Sequence, residues 1–127
     1  MKRNREEEQD DWNLEWYKTG TGAAPLQGFL EGLTGRNRDE GIALMEMLQK
    51  WGNQLRAPRS KALGNGLFEL RGHEVRIFYM FLPGRRVVLL DGIIKKRGDI
   101  PARVLKEVRS YQQEINAMEE KKAKRGT

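Results

Sequence analysis

The sequence predicts an α+β domain with the element order β-α-α-β-β-β-α, and three observations carry that prediction. Trp12, Leu14 and Trp16 alternate with Asn13, Glu15 and Tyr17, the period of a half-buried strand. Between Pro25 and Trp51 the apolar residues recur at helical spacing instead. From Leu67 to Ile94, three apolar runs are separated by Gly72-His73 and Pro83-Gly84, pairs suited to tight turns, which gives an antiparallel meander.

Each element has its own punctuation. The first strand is broken by "TGTGAA", and Pro25 then suits the first turn of a helix carrying Leu26, Phe29, Leu30 and Leu33 before Gly35 stops it. A second helix is expected from about Asp39 to Trp51, burying Ile42, Leu44, Met45, Leu48 and Trp51, with Gly52 placed to end it. The segment from Asn53 to Gly66 holds Pro58 and two glycines and reads as loop. Strands follow at Leu67 to Arg71, Glu74 to Leu82 and Arg86 to Ile94. A last helix opens at Pro101, with Asp99 as a candidate cap and Val104, Val108, Tyr111, Ile115 and Met118 as a narrow apolar stripe. The two N-terminal helices are expected to pack on one face of the sheet.

A chain of 127 residues supports one hydrophobic core, so a single domain over 1–127 is expected, with charged flexible ends at about 1–11 and 119–127. Lys and Arg total 24 against 18 Asp and Glu, a net charge of +6 that favours a polyanionic partner such as nucleic acid. Solubility is the ordinary alternative. Cysteine is absent, which excludes disulfides, thiolate metal sites and cysteine nucleophiles and suits a reducing compartment. His73 is the one histidine, so no histidine acid–base pair and no histidine metal cluster can form. No apolar stretch approaches membrane-spanning length, and a cytoplasmic protein without metal or small-molecule cofactor is expected.

Strand alternation then sorts the side chains. If Gly72-His73 is a two-residue turn, Arg71 faces Glu74, Leu70 faces Val75, Glu69 faces Arg76 and Phe68 faces Ile77. Phe68, Leu70, Val75, Ile77, Tyr79 and Phe81 form the core face, and Glu69, Arg71 and Arg76 share the other. Taking Pro83-Gly84 as the next turn sets Met80 against Val87, Phe78 against Leu89 and Arg76 against Asp91. Arg71, Arg76 and Lys95 then converge on one side, with Glu69 and Asp91 holding Arg76, and Phe78, Met80, Val87 and Leu89 beside them. A one-residue slip would swap the faces of the last strand and replace Lys95 by Lys96. The bland alternative is a solvated sheet face, which antiparallel sheets commonly have.

The ordered set of "PLQGFLEGL", "KALGNGLFELR", "VRIFY" and "VVLLDGIIKK", followed by Pro101, resembles the RelE/ParE superfamily of bacterial toxins, in its HigB-like, phage-derived branch. The resemblance spans roughly Trp12 to Tyr111. It implies a RelE-like fold, a ribosome-dependent mRNA endoribonuclease, and silencing by a small helix-turn-helix DNA-binding antitoxin. It also assigns the family's functional arginines to Arg71 and Arg76 and its basic pair to Lys95 and Lys96. Two positions depart from the family pattern: Asp91 stands where histidine is usual, and Ile93 where an aromatic precedes the lysines.

Metal-free RNA cleavage needs a base for the ribose 2′-hydroxyl, positive charge on the phosphate and an acid for the leaving oxygen. Arg71 and Arg76 offer planar donor forks to phosphate oxygens. Lys95, or Lys61, is a candidate base, since neighbouring cations favour a neutral lysine. Lys61, Arg56 and Arg59 are expected in a flexible basic loop, and with Lys96 they suit contacts to the RNA backbone. His73 reads as a solvated turn residue, Tyr79 as packing, and Tyr111 as a core or partner contact. Two alternatives stay open: a gyrase-inhibiting toxin of the ParE kind, and a catalytically inactive relative that only binds its antitoxin.

Overall fold

The computed structural model describes residues 11–126. The expected charged end at 1–11 lies almost wholly outside the described residues. The elements are β1 (Asn13–Trp16), α1 (Pro25–Glu31), α2 (Gly35–Trp51), a single 3-10 turn (Gly52–Gln54), β2 (Ser60–Gly64), β3 (Leu67–Arg71), β4 (Val75–Leu82), β5 (Arg86–Ile94) and α3 (Ala102–Arg125). The α+β class stands, with one strand more than the sequence predicted. The sheet order is β1-β5-β4-β3-β2, with β1 parallel to β5 and every other pair antiparallel.

Helices cover both faces of the sheet, and each face has its own core. On one side α1 and α2 bury Leu26, Leu33, Leu44 and Leu48 against Leu70, Val75, Ile77, Tyr79, Val87 and Leu89. On the other, α3 lays Val108 and Ile115, flanked by Val104 and Tyr111, on Leu67, Phe78, Met80, Val88 and Leu90. The face that carries the arginines is thus largely roofed, because alternate positions of β3 to β5 are apolar on both sides. Met118, counted in the expected stripe, is 56 % exposed.

Several boundaries differ from expectation. Gly35 starts α2 rather than stopping α1, its φ of 55° turning the chain directly from one helix into the next. Ile42 and Trp51 are exposed at 51 % and 46 %, because α2 meets the sheet along the narrower line of Gly41, Leu44 and Leu48. Gly52 does end α2; its φ is 47°, and a Cβ there would drive into the Trp12 ring. Asp99 caps nothing, the N-cap position of α3 being Pro101 with no side-chain cap. Glu119–Arg125 continues as helix, and Glu119 within it is held by Arg86.

The meander register shifts twice. Arg71 faces Arg76, Leu70 faces Ile77, Glu69 faces Phe78 and Phe68 faces Tyr79, so the tight turn is His73-Glu74, closed by the Gly72 N–H donating to the Val75 carbonyl at 2.9 Å. A displacement of two residues preserves parity, so the expected core face of β3 and β4 is correct. At the next turn Leu82 faces Arg86, and Pro83-Gly84-Arg85 makes a longer connection with φ of 85° at Gly84 and 58° at Arg85. This slip puts Val88 and Leu90, not Val87 and Leu89, on the arginine side. A bulge then leaves Leu90 unpaired between Leu89, facing Tyr79, and Asp91, facing Phe78. Beyond it Ile93 faces Arg76, and odd-numbered residues return to the arginine side.

Candidate functional site

The cations gather at the end of the sheet where β3 runs out and β4 begins. Arg71 and Arg76 are direct cross-strand partners, and the Lys95 N–H donates to the Glu74 carbonyl at 2.7 Å, extending the β4–β5 ladder by one residue. Alternation from Ile93 therefore sets Lys95 on the same face as both arginines. Among the described residues the Lys95 ammonium has no ion-pair partner. Lys96 is exposed in the bend just past the strand, beyond the last ladder hydrogen bond.

The segment expected as loop supplies two more. Lys61 lies in β2 directly opposite Glu69, and Arg59 continues that ladder, its carbonyl accepting from the Arg71 N–H at 2.7 Å while its Nη1 donates to the Arg71 carbonyl at 2.9 Å. Both are odd-numbered in register with Glu69 and Arg71, so they face the same way; Leu63, two residues on, packs in the α3-side core. Arg56 is not part of this group. It curls onto its own segment, donating to the carbonyls of Asn53 and Leu55, on the rim of a cavity of about 300 Å³ lined by Phe68, Tyr79 and Phe81 on the opposite side of the sheet. Arg59, Lys61, Arg71, Arg76 and Lys95 thus share one face, and Arg56 and Lys96 do not join them.

Beneath the arginines lies Glu69, 1 % exposed. Its Oε1 is 3.6 Å from Arg71 Nε and its Oε2 is 3.6 Å from Arg76 Nε. These contacts are ionic but too long for hydrogen bonds, and Glu69 Oε2 and Arg76 Nε are buried with no hydrogen-bond partner. Arg76 is instead fixed by the backbone, its Nη1 donating to the Gly72 carbonyl at 2.7 Å. Asp91 does not hold it, contrary to expectation. The bulge places that carboxylate opposite Phe78, where it accepts the Gly92 N–H at 2.8 Å. Burial raises the pKa of Asp91 and Glu107 adds to the rise, against the Gly92 N–H.

One side of the site is therefore acidic and phenolic. Tyr17 and Tyr111 stack with ring centroids 4.4 Å apart, and the Tyr17 hydroxyl donates to Glu114 at 2.9 Å. Burial first, then the neighbouring carboxylates, push both phenols up to about 12, so neither ionises near neutrality. Tyr79, as expected, is packing: it stacks on Phe68 and shares a 2.7 Å hydrogen bond with Ser60. His73 is exposed at the turn, also as expected.

Sequence reasoning missed Glu40. From α2 its Oε1 accepts the N–H groups of Glu74 at 3.0 Å and Val75 at 2.8 Å, which pins the turn before Arg76. Burial opposes ionisation of this carboxyl, but the backbone donors of Val75, His73 and Glu74 outweigh it and hold the group below its ordinary range. Nothing local marks a residue more than thirty positions upstream as the anchor of a hairpin turn.

These features define a small basic α+β domain whose mixed sheet is helix-covered on both faces and cationic at one end. The chain belongs to the phage-derived Gp49-like family (DUF891), a family of RelE/HigB-type toxins, whose model matches residues 28–122. The expected resemblance is thus correct, and the protein is a toxin of a toxin–antitoxin system. Among solved structures, a chain of the toxin–antitoxin complex RelBE2 from Mycobacterium tuberculosis aligns with a TM-score of 0.43 and 18 % identity, over 68 % of this chain and 94 % of that one. No curated protein matches the sequence. Among the described residues, no helix is long and apolar enough to cross a membrane.

Proposed function

We propose that this toxin is a metal-independent endoribonuclease that cleaves mRNA on the ribosome, and that a small DNA-binding antitoxin silences it. The observation that carries the reading is the row of five cations, Arg59, Lys61, Arg71, Arg76 and Lys95, on one face of the sheet at the end where the meander turns. In the proposed reaction the ribose O2′ attacks the adjacent phosphorus, its proton passing to Lys95 or Lys61, while the bond from phosphorus to O5′ breaks and O5′ takes up a proton from water. Arg71 stabilises the pentacoordinate phosphorane through its guanidinium fork, the charge-assisted contact that planar donors make best with phosphate, and Arg76, whose Nη1 is held by backbone carbonyls, does so through Nη2. Arg59 contacts the RNA backbone, and Lys96, outside the row, adds positive charge at its edge. Arg56, bonded to its own loop, contributes at most through net charge.

A second reading has its own observation. Glu69 neutralises part of the arginine charge from below, and Asp91 with Glu107 adds negative charge on the flank, which suits a relative that binds its antitoxin without cleaving RNA. Expressing the protein alone in bacteria and mapping transcript 5′ ends, with and without translation, separates the two. New ends that require translation and vanish in Arg71→Ala support the nuclease. Growth arrest with intact message rejects it in favour of a target such as gyrase, and unaffected growth favours the inactive relative.

A further inference from the structure

Arg76 is set by a turn that is itself held from the opposite side of the sheet. The Gly72 carbonyl accepts from Arg76 Nη1 at 2.7 Å, and the Val75 carbonyl accepts from it at 3.3 Å. The same turn donates two N–H groups, from Glu74 and Val75, to a single carboxylate oxygen of Glu40 on α2. With Arg76 Nε lacking any hydrogen-bond partner, those carbonyls supply the directional contacts that orient the guanidinium. Gly72 fits the arrangement by having no side chain: a Cβ there would overlap the Glu40 carboxylate. Asn37, one helical turn before Glu40, adds a 3.4 Å contact from its amide to Glu74.

We infer that Glu40 is a positioning residue for Arg76, acting across the sheet through the His73-Glu74 turn, so that the phosphate-binding geometry of one face is fixed by a helix on the other. Glu40 itself touches no RNA. The inference rests on the proposed RNA-binding role of Arg76, and it specifies how that role is maintained. It also explains why a side-chain-free residue stands at Gly72, where it leaves the room that the Glu40 carboxylate fills.

The test is a double-mutant cycle on the full chain, using a short 2′-O-methylated RNA that cannot be cleaved. Glu40→Ala is expected to weaken binding roughly tenfold, the loss associated with hydrogen bonds to a charged group. Gly72→Ala is expected to do the same by displacing the carboxylate, and Glu40→Gln, which keeps an acceptor oxygen, to restore most of the affinity. Adding Glu40→Ala to Arg76→Ala should weaken binding no further than Arg76→Ala alone. Additive losses overturn the inference, because a general loss of stability would add to the loss of Arg76. If Arg76→Ala leaves binding unchanged, the RNA-binding role fails by itself. The Nε–Hε resonance of Arg76 then decides the positioning: broadening in Glu40→Ala but not in Glu40→Gln supports it, and identical spectra in all three proteins refute it.

Discussion

Two arginine–glutamate clusters lie on the α3 side of the sheet, toward opposite ends of β5, and they are built differently. At one end Arg86 donates to Glu15 of β1 at 2.6 and 3.0 Å and to Glu119 of α3 at 2.9 and 3.3 Å, joining three elements through one guanidinium. The two carboxylates raise the affinity of Arg86 for its proton, and Arg86 in turn lowers that of Glu119. At the other end Arg71 and Arg76 stand 3.6 Å from Glu69, and both Glu69 Oε2 and Arg76 Nε lack hydrogen bonds. A guanidinium whose donors all serve carboxylates fastens the fold and has little left for a ligand. One that is held by backbone carbonyls and a distant charge keeps donors for a phosphate.

The comparison breaks most visibly if RNA cleavage follows the wrong cluster. Arg71→Ala should lower the cleavage rate on the order of 10²-fold, with Lys95→Ala similarly affected, while Arg86→Ala leaves cleavage per folded molecule intact. Equal loss in Arg86→Ala would mean that the clasp takes part in the chemistry.

Stability should rank the clusters in the same order, because burial and not the number of hydrogen bonds sets the cost of removing a charged partner. Glu69→Ala removes the buried counter-ion of two arginines and should cost about 3–5 kcal/mol in urea unfolding. Arg86→Ala breaks a network whose side chains are 24 % to 38 % exposed, so solvent screening limits its cost to about 1–2 kcal/mol. A larger loss for Arg86→Ala would invert the ranking.

The smallest expected effects are those of pH. Glu40 is more acidic in the folded chain than in the unfolded one, so its contribution is present above the ordinary carboxylate range and lost as pH falls through its folded value. Asp91 is shifted upward, so it favours folding when protonated, and that advantage is lost as pH rises through its folded value. Thermal melts of Asp91→Asn should therefore lie above wild type near neutrality and converge with it in acid. Melts of Glu40→Gln should lie below wild type near neutrality and converge in acid, and curves displaced by a constant amount would contradict both assignments.

Much of the site was legible because parity survives errors of register. The pair Gly72-His73 puts the turn after Arg71 one residue earlier than the observed His73-Glu74, which displaces the pairing by two and leaves every side chain of β4 on its expected face. The slip at the next turn reversed Val87 to Leu90, and the bulge at Leu90 reversed the strand again before Asp91 and Lys95. No sequence pattern announces such a bulge, since Leu89 and Leu90 are both apolar and both buried. β2 went unseen because Pro58 and the glycines of "GNG" outweighed its short alternation. An edge strand with one partner shows few apolar residues, and Lys61 and Ala62 are exposed. The stripe on α3 was readable, but not its docking over the arginine face, because periodicity reports that a helix has a buried side and not which sheet surface receives it.

The parallel pairing of β1 with β5 carries a consequence for biosynthesis. Asn13 to Trp16 find their ladder partners at Arg86 to Leu89, more than seventy residues downstream. A nascent chain therefore holds its first strand without a neighbour until the last strand has left the exit tunnel. Closure of such a long-range contact is slow relative to helix formation, so the sheet edge assembles after α1 and α2. The interval before the sheet closes is therefore set by the time needed to deliver β5.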